Sequence, residues 1–219
     1  MTAPGVLPRL FDAGLVMVVR APSADDAIAA ITAARRGGIE VVEVTFTTPD
    51  AVQAIARVRT AYDDVLVGAG TVLSRVDAEA AVDAGAQFVV SPGLDLDLLR
   101  WAPTDIAVVP GVLSPSEVMR ANRAGADAVK LFPAHTVGPA HLRALLAPFP
   151  GLRVIPTGGV TPDNAADWLE AGAAAVGIGG ALSPNTPVTD LVADSITDEA
   201  ARAVAAVRSH RHHITQEMT

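Results

Sequence analysis

A single (β/α)8 barrel of the α/β class, the TIM-barrel architecture, is the fold this sequence predicts, from a recurring phrase, a composition and a pattern of punctuation. The phrase Ala124-Gly125-Ala126-Asp127-Ala128-Val129-Lys130 returns in kindred form at residues 36–44, 83–90 and 170–177. Each copy reads as a helix end, a glycine able to take the left-handed conformation just past it, and then a strand. Gly38, Gly85, Gly125 and Gly172 stand 47, 40 and 47 residues apart. Apolar runs at 65–68, 106–109 and 152–155 fall between them, so the underlying unit is about half that period. An opening strand at 15–20 brings the count to eight. Half the residues are hydrophobic but only 4% are aromatic, so the core is built from Ala, Val, Leu and Ile, with 18 Gly and 16 Pro as punctuation.

Helices fill the intervals. The pattern predicts them over 23–36, 49–60, 77–84, 95–101, 114–124, 138–146 and 161–171, several opening on Ser, Thr or Asp as the N-cap. Pro115 and Pro162 are placed at a first helical position, where the missing N–H has no partner to lose. An amphipathic helix is expected from about 198 to 207. The whole chain, 1–219, then reads as one barrel domain with a short N-terminal helical lead-in and a polar tail from about 209. A doubly wound open sheet is the alternative, but it normally has fewer strands and a Gly-rich first turn that is lacking here.

Composition also excludes. With no cysteine there are no disulfides, zinc–thiolate sites or cysteine nucleophiles, which fits a reducing compartment. Residues 1–15 lack the basic start and apolar stretch of a secretory signal, and no apolar run approaches a membrane span. A net charge of -8 argues against non-specific nucleic-acid binding and against an anionic membrane surface. The expectation is a cytoplasmic protein with no nucleic-acid or membrane partner. His210, Arg211, His212 and His213 form a polar end, Trp101 and Trp168 are packing residues of outer helices, and His135 is a solvated loop residue. No His/Asp/Glu set has convincing metal-ligand spacing, so neither metal nor cofactor is expected.

In such a barrel, catalytic groups sit at the C-terminal ends of the strands. The strand ends supply Arg20, Glu43 with Thr45 and Thr47, Thr71, Lys130 with Phe132, Thr157-Gly158-Gly159 and Gly177-Ile178-Gly179-Gly180. Lys130 is the most informative of them, because it lies inside an apolar strand-forming run. Burying an ammonium is costly, and an amine kept from water favours its neutral, nucleophilic form, which can make a Schiff base with a carbonyl. The same spacing also allows Lys130 to end its strand and reach solvent or a carboxylate. Glu43 is embedded in the second strand as Lys130 is in the sixth. Together they supply an amine and a proton carrier for imine chemistry, or a buried ion pair tying two strands across the barrel. Gly158, Gly159, Gly179 and Gly180 fall in the loops after strands seven and eight, the usual phosphate site of this fold.

These residues resemble a known family. Glu-Val-Thr-Phe-Thr-Thr-Pro-Asp-Ala at 43–51, Val-Gly-Ala-Gly-Thr-Val-Leu at 67–73, Gly-Ala-Gln-Phe-Val-Val-Ser-Pro-Gly-Leu at 85–94, Lys-Leu-Phe-Pro-Ala at 130–134 and Pro-Thr-Gly-Gly-Val at 156–160 look like the KDPG/KHG aldolases. The resemblance covers roughly residues 10–185. It implies a homotrimeric, metal-independent class I enzyme acting on a small 2-keto acid, with Lys130 as the Schiff-base lysine and Glu43 as general acid/base. It further implies that Thr71, Phe132 and Thr157 line the pyruvate end. Where many members carry a carboxylate-binding arginine this chain has Thr47, with Arg20 in a position to take over. Where the family often has a phosphate-binding serine this chain has Gly180, so backbone amides carry more of that contact. The expected reaction is cleavage of 2-keto-3-deoxy-6-phosphogluconate (KDPG) to pyruvate and glyceraldehyde 3-phosphate. An unphosphorylated or epimeric substrate, 4-hydroxy-2-oxoglutarate (KHG) or the galactonate epimer KDPGal, is the alternative, as is a non-catalytic anion-binding trimeric scaffold.

Overall fold

The computed structural model describes residues 5–217, with side chains placed through residue 211. In chain order the elements are α1 (Val6–Ala13), β1 (Leu15–Val19), α2 (Ala24–Arg36), β2 (Val41–Thr45), α3 (Ala51–Ala61), β3 (Leu66–Gly70), α4 (Arg75–Asp83), β4 (Phe88–Val90) and α5 (Leu96–Trp101). They continue with β5 (Ala107–Val109), β6 (Gly111–Val112), α6 (Pro115–Arg123), β7 (Val129–Leu131), α7 (Gly138–Leu146), β8 (Val154–Pro156), α8 (Ala165–Glu170), β9 (Val176–Ile178) and α9 (Asp190–Glu217).

All strand pairs are parallel, in the orders β5-β4-β3-β2-β1-β9 and β6-β7-β8. Two joints close them into the expected (β/α)8 barrel. β5 and β6 are one barrel strand interrupted at Pro110, which has no N–H for a ladder but whose carbonyl still accepts the Lys130 N–H. The other joint is a parallel bridge between Thr157 and Gly177, linking the end of β8 to β9. The four recurring glycines all take positive φ, 88 to 100°, where the chain leaves a helix and turns toward its next strand.

Strand alternation sorts the side chains into two cores. Val16, Val41, Leu66, Phe88, Val90, Ala107, Val109, Ala128 and Ile155 fill the barrel interior, and Leu7, Leu10 and Phe11 of α1 close its floor. Their neighbours in sequence, such as Met17, Val42, Val67, Val89 and Val129, face the helices. Because the period is two, Glu43 shares the inner face with Val41, and Lys130 shares it with Ala128. The interior has room for long side chains only because glycines make it. A Cβ on Gly68 would meet the Phe88 ring at 2.4 Å, and one on Gly70 would meet Glu43 Oε1 at 2.0 Å.

Several element limits differ from those the sequence suggests. The capping box opening α6 is present, with Pro115 in its first turn, and the Glu117 carboxyl is held below its usual range by the Ser114 hydroxyl and then the Leu113 N–H. The helix expected over 161–171 is instead only α8. Asn164 Oδ1 accepts the Thr161 N–H and its Nδ2 donates to the Gly159 carbonyl, so residues 161–164, Pro162 included, form a side-chain-closed turn before the helix begins. α4 starts at Arg75, two residues early, because Ser74 rather than Asp77 is its N-cap.

The last helix is much longer than 198–207. α9 continues on both sides of that range and through the expected polar tail, with Ile196, Ala200, Ala203 and Val207 as its buried stripe. It packs so close to α2 that a Cβ on Gly37 would come within 2.4 Å of the Thr197 carbonyl. The side chains of His212 and His213 lie outside the described residues. Trp168 is buried and Trp101 packs against the outer core, as expected of packing residues. Among the described residues no helix is long and apolar enough to cross a membrane.

Candidate active site

Lys130 Nζ lies 3.0 Å from Glu43 Oε1, in the barrel's interior, with side chains 7% and 4% exposed. β2 and β7 are not neighbours in the sheet, so the pair bridges the barrel. The two groups satisfy each other in a place water hardly reaches. Removing either partner would leave an uncompensated buried charge, at a cost of about 3–5 kcal/mol. The Phe132 ring, centred 5.4 Å from Nζ, adds a face attractive to a cation on the mouth side.

Two voids meet at this pair. Below it, a small enclosed space is lined by Leu10, Val16, Glu43, Phe88, Val109 and Ile155, with Lys130 and Thr157 at its boundary. Above it, a cavity of about 610 Å³ opens at the C-terminal ends of the strands. Arg20, Thr71, Lys130, Phe132, Thr157, Gly158, Gly159, Gly179 and Gly180 all line that upper cavity. Lys130 and Thr157 belong to both. Lys130 is therefore the floor of the open cavity, and Glu43 stands directly behind it.

Individual residues are set by local structure. Thr71 has φ of 54°, a conformation that a β-branched residue avoids, and it lines the cavity just past β3. Gly158 and Gly159 also have positive φ, 92 and 78°, and the loop they form bends back over Phe132 and His135. Gly180 has open space around it. In the β9 loop, Leu182 and Ser183 both donate N–H bonds to the Gly179 carbonyl, folding Gly179–Ser183 into a tight turn. The Phe132–Pro133 peptide is cis. His135 is exposed and does not line the cavity.

Thr47 also stays off the cavity wall. Its hydroxyl instead accepts a 3.0 Å bond from Arg20 Nε, so the residue proposed for substrate contact touches the arginine. Sequence reasoning missed Ser183 and Asn185, which line the cavity beside the glycine loop. Their only signal was a place shortly after Gly179-Gly180, in a segment with no strand or helix pattern.

A lysine side chain, a carboxylate 3.0 Å from it and an open cavity rimmed by glycine loops are the groups that imine chemistry on an anionic carbonyl compound would need. Comparison with known proteins decides the family: the model described as KDPG and KHG aldolase matches residues 7–198. The chain belongs to the KDPG/KHG aldolase family. It is a metal-independent class I aldolase, a carbon–carbon lyase. It is 34% identical over 203 residues to the 2-dehydro-3-deoxy-6-phosphogalactonate aldolase of Escherichia coli K12, covering 91% of this chain and 96% of that one. Among solved structures, the aldolase resembles the 2-keto-3-deoxy-6-phosphogluconate aldolase of Zymomonas mobilis with 3-phosphoglycerate, at TM-score 0.80 and 34% identity over 91% of this chain and 95% of that one. It also resembles the Legionella pneumophila KDPG aldolase with pyruvate captured as a covalent carbinolamine, at TM-score 0.75 and 30% identity over 91% and 95%.

Proposed function

We propose that this aldolase cleaves KDPG to pyruvate and glyceraldehyde 3-phosphate, with Lys130 as the imine-forming amine and Glu43 as the proton carrier. The observation that carries the reading is the 3.0 Å contact between Lys130 and Glu43 at the floor of the open cavity. A proton passed from the ammonium to Glu43 frees the amine to attack the C2 ketone. The resulting carbinolamine loses water to give an iminium. As the C3–C4 bond breaks, its electrons move into the iminium to give an enamine, while the C4 hydroxyl loses its proton and becomes the departing aldehyde. Protonation of the enamine at C3 and hydrolysis then release pyruvate and restore the lysine. The carbinolamine in the Legionella relative supports the first of these steps.

Arg20 is assigned to the substrate carboxylate. Its Nε donates to the hydroxyl of Thr47, the position at which many family members carry an arginine, and this contact supports the assignment. Thr71, Phe132 and Thr157 line the space around C2 and C3. Gly158, Gly159, Gly179 and Gly180 are assigned to the phosphate, which backbone N–H groups can hold without a side-chain charge.

The galactonate epimer is the second reading, favoured by the E. coli relative, which matches nearly the full length of both chains. Pyruvate release from KDPG, KDPGal and 4-hydroxy-2-oxoglutarate, measured side by side, separates the readings. KDPG should have the highest kcat/KM; a preference for KDPGal would replace it with the epimer. The phosphate assignment has its own test. Gly180→Ser should raise kcat/KM for KDPG relative to its unphosphorylated analogue, because the site has room for the side chain and a bond to a charged group is worth about 1.5–3 kcal/mol. Equal kcat/KM for the two substrates in the parent protein would remove the phosphate from the site.

A cytoplasmic homotrimer completes the proposal. Leu73 and Val76 are 68% and 73% exposed, close in sequence to an apolar groove between α3 and α4 lined by Phe46, Pro49, Val52 and Ala80. Such a surface is suited to burial against a second copy.

A further inference from the structure

We propose that Ser183 is a positioning residue that holds Arg20 in place for the substrate carboxylate, in concert with a directed chain of hydroxyls from β2; this rests on the aldolase reading above. Ser183 is 4% exposed. Its Oγ accepts the Arg20 N–H at 3.0 Å and donates to the Arg20 carbonyl at 3.0 Å, so one hydroxyl satisfies both backbone polar groups of a single residue across 163 positions of sequence. The next peptide is fixed as well, because Ala21 N–H donates to the Thr48 hydroxyl at 3.2 Å. Arg20 follows directly on β1, and these bonds hold it between the turn after β9 and the loop after β2.

The side chain is held by a second device whose proton directions are determined. Thr45 Oγ1 donates to the Val19 carbonyl at 2.9 Å, which uses its only proton. The 2.9 Å contact between Thr45 and Thr47 must then be donated by Thr47. That leaves Thr47 with lone pairs and no proton, and Arg20 Nε donates to it at 3.0 Å. Nε is thereby anchored toward β2. The two terminal guanidinium nitrogens remain to form the parallel pair of bonds that a carboxylate accepts. Thr45 is 1% exposed, so water does not compete for the chain at its root.

The arrangement makes the turn Gly179–Ser183 serve two ends of the substrate. Its glycines border the proposed phosphate site, while its terminal serine fixes the arginine for the carboxylate. A variant that loses the Ser183 hydroxyl should therefore lose carboxylate recognition without losing the amine.

The test uses the full chain and two small substrates that carry one anionic group each. Borohydride trapping measures half-saturating pyruvate, which has the carboxylate, and the synthesis direction measures half-saturating glyceraldehyde 3-phosphate, which has the phosphate. Ser183→Ala and Thr45→Val should each raise half-saturating pyruvate by about threefold to tenfold, the worth of one hydrogen bond, and shift the aldehyde value much less. Ser183→Thr, which keeps the hydroxyl, should recover most of the loss. In an Arg20→Met background, Ser183→Ala should add no further shift. The proposal is overturned if the aldehyde value moves more than the pyruvate value, or if the Ser183→Ala shift persists undiminished in the Arg20→Met background. Absence of trapping in the parent protein would instead refute the imine reading itself, a different outcome.

Discussion

Lys130→Ala is expected to abolish both turnover and borohydride trapping of pyruvate. Lys130 is the only lysine in the chain, so no other side-chain amine can take over the imine. The same substitution removes the partner of a carboxylate that is 4% exposed, so the variant is also expected to be destabilised, by about 3–5 kcal/mol. Lys130→Arg separates the two effects. A guanidinium pairs with Glu43 but does not form an imine with a ketone, so that variant should be better folded than Lys130→Ala and equally inactive. Intact mass after reduction with pyruvate reads the result directly. A pyruvate adduct on either variant would defeat the proposed mechanism.

Glu43→Gln should lower turnover by about 10²- to 10⁴-fold, the usual contribution of a positioned proton carrier. The amide keeps the shape in a space that Gly70 leaves open for it. The amine remains, so pyruvate should still be trapped at high concentration. Exchange of the pyruvate methyl hydrogens with deuterated water should fall along with turnover, because that exchange requires deprotonation of the iminium at C3 and reprotonation of the enamine. Near-parental turnover and exchange in a folded variant would reduce Glu43 to an ion-pair partner. The structure contains that ion pair, and the experiment asks whether its carboxylate also moves protons.

Much of this was legible in the chain. Gly38, Gly85, Gly125 and Gly172 revealed the repeat because a helix that must turn sharply into a strand favours a residue tolerant of positive φ, and that demand is local. Glu43 and Lys130 stood out because an ionisable residue within an apolar strand is rare enough to need a reason. Local patterns were weaker where a side chain competed with them. Asn164 closed a turn where the sequence suggested a helix, and Ser74 capped α4 ahead of Asp77. The length of α9 was hidden because its stripe of Ile196, Ala200, Ala203 and Val207 contains two alanines, and alanine carries little amphipathic contrast.

By itself the sequence singled out the candidate residues and the strand each occupied. A strand's period of two put Glu43 and Lys130 on definable faces, and the order of strands and helices required a parallel sheet. It did not determine distances between residues far apart in the chain. That Lys130 meets Glu43 at 3.0 Å, 87 positions away, follows from closure of the barrel and from the glycine at 70 that leaves room for the carboxylate. That Thr47 touches Arg20 rather than the cavity, and that Ser183 holds the Arg20 backbone, was decided only by tertiary structure. Backbone propensity acts over a few residues, whereas a hydroxyl finds its partner through the packing of whole elements around it.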